Sequence, residues 1–142
     1  MNRIETIAPE IVNLMDRASL FLRHQILIDV CAAAIEGSGV KQETVHSIFN
    51  EFQKNRIILA DMRKFLRDLE DEFDQEYFDF QDAGEEELAL QRFRQARAIA
   101  ALASAGDNST RTSALDAIYE AAMAVSDSQV VIDKVHTIFS MQ

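Results

Sequence analysis

Ala32-Ala33-Ala34-Ile35 … Ser38 … Val40 … Val45-His46-Ser47-Ile48-Phe49 recurs ninety positions later as Ala122-Met123-Ala124-Val125 … Ser128 … Val130 … Val135-His136-Thr137-Ile138-Phe139. The offset is constant and needs no gap, and Ile28 and Ile118 extend it backwards. Each copy reads as an apolar helix, a short polar turn and a second helix ending in Val-His-Ser/Thr-Ile-Phe. The match predicts two helical hairpins, 10–52 and 98–142, related by duplication or by a shared local structure. Their apolar inner faces would pack into a pseudo-symmetric four-helix core. An acidic helical hairpin, 55–97, lies between them. The expected fold is all-α, a multi-helix bundle of two pseudo-repeated helical hairpins around a long acidic one, in a single domain over 1–142.

Composition agrees. One proline, four glycines and no tryptophan in 142 residues leave few of the turns an all-β fold needs. No apolar run reaches the ~18 residues of a membrane span. The start, MNRIETIAPEIV, lacks the basic and apolar regions of a signal peptide. Cys31 is the only cysteine, which excludes an internal disulfide and a Cys-based zinc site and points to a reducing cytoplasm.

Outward from the repeat, the first helix is expected from Pro9 to Glu36, bending near Ser19. Its stripe of Ile11, Leu14, Met15, Ala18, Leu22, Ile26 and Val30 is widened by Leu20, Phe21, Leu27 and Ile28. Gly37-Ser38-Gly39 ends it, and a second helix runs from about Lys41 with Val45, Ile48, Phe49 and Phe52 inward. Asn55 marks either a short break or a continuation, and a long helix over Asn55–Phe80 carries Leu59, Met62, Leu66, Leu69, Phe73, Tyr77 and Phe80, a heptad stripe as far as Phe73. Asp82 and Glu85 have the spacing of a capping box for a helix from Leu88 to about Ala105. Asp107–Thr110 reads as a loop, and two further helices, Arg111–Val125 and one ending near Phe139, complete the chain.

The net charge of −10 disfavours nucleic acid and anionic membranes at long range and favours basic partners. It is spread unevenly. Residues 54–67 hold Lys54, Arg56, Arg63, Lys64 and Arg67 against Asp61, whereas residues 68–87 hold eleven acids and no base. Arg92, Arg94 and Arg97 follow. Folding about Gly84 would set these arginines near Glu76, Asp74 and Asp71. An antiparallel dimer through the heptad stripe would set basic against acidic halves of two copies. Either way, so many carboxylates together need cationic company.

No catalytic constellation is present: no glycine-rich phosphate loop, no Gly-x-Ser-x-Gly, no Cys/His pair at a useful spacing and no zinc-protease helix. No cofactor is implied. The expected function is that of a non-enzymatic interaction or regulatory protein, a homodimer or a binder of a protein partner. Its acidic-aromatic surface would be Asp71, Asp74, Glu76, Tyr77, Phe78 and Asp79. Phe78 lies off the stripe and is expected at the surface.

Three other arrangements carry chemistry. The turn at Gly39-Val40 resembles a DNA-binding helix-turn-helix. In that alternative Lys41, Gln42, Glu43, His46, Ser47 and Asn50 face the major groove, with Lys54 and Arg56 near phosphates. Against it stand the bulk of Ile35, the surrounding acidity and a second copy without the glycine. His24, on a long helix before an apolar hairpin, is similar to the imidazole of phosphotransfer domains, a role that requires it at the surface. His46 and His136, at matching places, could meet as metal ligands with Cys31, although His46 and His136 each also suit a bond to a backbone carbonyl at a core edge.

Overall fold

The computed structural model describes residues 2–107 and 110–141, so Asn108 and Ser109 of the expected loop lie outside the described residues. It is an all-helical bundle. After a short 3-10 turn, Arg3–Thr6, come α1 (Glu10–Arg17), α2 (Leu20–Ser38), α3 (Glu43–Asn55), α4 (Ala60–Asp82), α5 (Glu86–Gly106), α6 (Arg111–Ala124) and α7 (Ser128–Ser140). There is no strand among the described residues, and no helix is long and apolar enough to cross a membrane.

The centre belongs to the second half of α5. Ala96, Ala98, Ile99, Ala100, Ala101, Leu102, Ala103 and Ala105 are all buried, because small side chains let α2, α4 and α6 approach its backbone. The remaining core comes from Ile26, Val30 and Ala34 of α2, Leu115, Ile118 and Ala122 of α6, and Val131 and Val135 of α7. The matched segments enter the bundle differently. α6 and α7 lie against each other and against α2, whereas α3 has its closest approach to α5. Ser38 is the last residue of α2, but its counterpart Ser128 is the first of α7, so the second turn comes earlier in the match.

Four expected features are corrected. The Pro9–Glu36 helix is two helices. Ala18 and Ser19 are extended, and the Ser19 hydroxyl accepts the Leu22 N–H at 3.1 Å, capping α2. The break turns Leu20 and Phe21 out of the expected stripe, leaving them 80% and 62% exposed. The Asn55–Phe80 helix starts only at Ala60, since Arg56 takes a left-handed φ of 66° and ends α3. The Asp82–Glu85 capping box does not form. α4 runs to Asp82, Gly84 takes φ 77°, and the Glu85 N–H returns to the Phe80 carbonyl at 2.9 Å, closing a Schellman-type turn. The Gly39 cap is as expected, with φ 74° and its N–H on the Ile35 and Glu36 carbonyls.

Candidate functional site: the α4–α5 hairpin

The heptad stripe faces α5 within the chain. Leu66 and Phe73 are buried, and Leu69, Tyr77 and Phe80 are half-buried. The antiparallel dimer drawn through that stripe would have only Leu59 and Met62 open for its seam, because Leu66 and Phe73 are already covered within the chain. α4 packs chiefly against α5, and the first part of α5 buries only Ala89 before Gln95. The outer half of the hairpin is therefore an arm, rooted in the bundle by the second half of α5.

The root is held by charge. Arg97 reaches Asp74 at 2.8 Å, Glu70 at 3.4 Å and Glu120 of α6 at 2.9 Å. Burial opposes its charge, yet the three carboxylates raise its pKa overall. Glu120 is buried and also binds Arg3 at 2.8 Å, while that guanidinium lies 4.5 Å from the Tyr119 ring centre. Arg92 meets Glu76 at 2.8 Å and donates to Gln95 at 2.7 Å, and buried Gln95 donates to the Gly39 carbonyl at 3.3 Å. One polar chain thus joins arm, α5 and the α2–α3 turn. The expected approach of arginines to acids is realised at Arg92–Glu76 and Arg97–Asp74. Arg94 and Asp71 make no ion pair among the described residues.

The six surface candidates divide accordingly. Asp74 and Glu76 serve the root. Tyr77 is half-buried between Phe78 and Phe93, at ring distances of 5.1 and 5.6 Å, and its hydroxyl accepts from Gln81. Asp71, Phe78 and Asp79 point to solvent, Phe78 with 54% of its surface exposed. Around them Asp71, Glu72, Asp79, Asp82, Glu85, Glu86 and Glu87 are exposed and form no ion pair among the described residues. Leu88 and Leu90, across the Gly84 turn, are exposed too. Sequence reading missed those two leucines because they sit beside three glutamates and look like the first turn of a buried face.

The helix-turn-helix residues Lys41, His46, Ser47, Asn50, Lys54 and Arg56 are exposed, with Gln42 half-buried. The exposed charged residues of α3 are Glu43, Glu51 and Lys54, two acids against one base, so the face is not basic. His46 donates Nε2 to the Val40 carbonyl at 2.8 Å, the backbone role open to it from the sequence. His136 faces Glu10 at 3.3 Å instead, and Cys31 is fully buried, its thiol pushed up to about 12 by burial. No group of three or more His, Cys, Asp or Glu suited to a metal occurs among the described residues. His24 is half-buried, edge-on to Phe52 at 5.1 Å, with Nε2 shielded from solvent. The surface imidazole that phosphotransfer requires is absent there.

No family model, curated protein or solved structure matches this chain.

Proposed function

We propose that this chain is a non-enzymatic interaction or regulatory protein whose acidic arm docks on a basic, helical partner surface, with Phe78 as the apolar anchor. One observation carries this reading: an exposed phenylalanine stands among seven exposed carboxylates that have no ion pair in the described structure. Carboxylates so close together repel one another, and a cationic surface relieves that repulsion while steering the encounter. An aromatic side chain at the centre of such a patch supplies the desolvated contact that charge alone lacks. The lone buried thiol supports a reducing cytoplasm as the compartment. The sequence match supports reading α2–α3 and α6–α7 as copies of one helical hairpin whose turns have diverged.

Fluorescence anisotropy with two labelled probes tests the function. One is an amphipathic helical peptide with lysine and arginine on its polar face; the other is a random DNA duplex. The peptide is expected to bind and to weaken as salt rises, and the duplex to stay free even at low salt. Duplex binding that falls steeply with salt, without peptide binding, would instead establish a nucleic-acid face on α3.

A further inference from the structure

The arm turns at Gly84, and α4 and α5 run antiparallel from there. Phe78 stands six positions before that glycine and Leu90 six after it, so the two lie at the same height on the arm. Each follows directly on a residue that faces the other helix. Phe78 follows Tyr77, which packs on the Phe93 ring of α5, and Leu90 follows buried Ala89. An α-helix advances ~100° per residue. In an antiparallel pair, one step past the inward residue turns both side chains to the same side. Phe78 and Leu90 therefore share one face of the arm, and Leu88, one step before Ala89, lies on the opposite face. The ion pairs agree with this assignment. The same ~100° steps set Asp74 and Arg97 on the Phe78 side and Glu76 and Arg92 on the Leu88 side. Those are the pairs that form, each at 2.8 Å.

The two faces differ in charge. On the Leu88 side, Glu76 is neutralised by Arg92. On the Phe78–Leu90 side, Asp82 and Glu86 near the tip are exposed and form no ion pair among the described residues. Arg94, half-buried, lies one turn from Leu90 toward the bundle. Packed helix axes stand ~8–10 Å apart, which sets the spacing of the two apolar side chains. Residues i and i+7 of a helix are ~10.5 Å apart on one face and match it. We propose that this face is the docking site and that its occupant is an amphipathic helix laid across both helices of the arm. Two of its apolar side chains, two turns apart, rest on Phe78 and Leu90. Its lysines or arginines point toward the tip, onto Asp82 and Glu86 and away from Arg94. The inference rests on the arm being a recognition surface, and it adds Leu90 as a second anchor and gives the partner an orientation.

The test compares two leucines of nearly equal exposure, 46% for Leu90 and 43% for Leu88, so loss of apolar surface is matched. Binding of the labelled basic amphipathic peptide is measured by anisotropy on full-length wild type, Leu90→Ala, Leu88→Ala and Phe78→Ala, with urea midpoints on each. Leu90→Ala is expected to weaken binding about fivefold or more, at an unchanged midpoint. Leu88→Ala is expected to bind as wild type, and so is Leu90→Met, which keeps the apolar bulk. Equal losses from Leu90→Ala and Leu88→Ala, or a loss confined to Leu88→Ala, overturn the face. A lowered midpoint in Leu90→Ala that accounts for its lost binding overturns the anchor. A loss in Phe78→Ala with none in Leu90→Ala overturns the second anchor and leaves the arm reading standing. A wild type that binds no basic peptide overturns both.

Discussion

Arg97 is the side chain on which the arm's attachment turns. Three carboxylates from two helices converge on it, and Glu120 among them is buried. Removing one member of a buried ion network leaves the others charged and unpaired, at a cost of about 3–5 kcal/mol. Arg97→Met is accordingly expected to lower stability by roughly that amount in urea unfolding, more than any exposed arginine replacement, for which ~0–1 kcal/mol is usual. His24 supplies a pH signature. Burial first, and then the charge of Arg56, hold its pKa below the ordinary 6.5, against a backbone bond to Gln53 that raises it. The unfolded chain then binds the proton more readily than the folded one. Stability from this group is complete above pH ~6.5 and is lost as pH falls through the folded value. The urea midpoint should fall from neutral toward acidic pH in the wild type, and the fall should be shallower in His24→Gln. Equal slopes would contradict the assignment.

At the scale of elements, the elbow before α4 depends on the missing side chain of Gly106. A Cβ there would stand 2.5 Å from three side-chain atoms of Ile58, including its Cβ. Gly106→Ala gains helix propensity but forces Ile58 away, and overpacking of this kind costs ~1–3 kcal/mol. The expected outcome is net destabilisation by urea unfolding. The elements themselves were largely legible. Hydrophobic spacing located the helices, and Gly39 and Gly84 marked their turns. A bend near Ser19 and the choice of a break at Asn55 were legible, but not the full exits from helix at Ser19 and Arg56. Neither carries a proline or glycine, and each follows from tertiary packing that rewards a new helix direction more than one extra turn. The central place of the α5 alanines was likewise hidden, since a run of small residues reads as propensity and shows no face.

As a whole molecule the chain differs along α4, with an apolar groove lined by Ile48, Ile57, Leu59 and Met62 where the helix begins and an acidic aromatic arm where it ends. The acidic end was visible in the sequence, because charge runs and an off-stripe Phe78 need no tertiary knowledge. The division of its carboxylates was only half visible. Arg92–Glu76 and Arg97–Asp74 follow from folding about Gly84, whereas Glu120 and Arg3 come from distant positions that no spacing connects. The groove was invisible, since Leu59 and Met62 continue the stripe of Leu66 and Phe73 and differ only in that α5 has ended before it can cover them. The central claim is that Phe78 anchors a partner rather than the fold. Its most direct test is the affinity of the basic amphipathic peptide for wild type and Phe78→Ala, with urea stability measured on both. We predict at least about a tenfold loss of affinity, ~1.4 kcal/mol, at unchanged stability. Equal affinities, or a loss matched by unfolding, would contradict it.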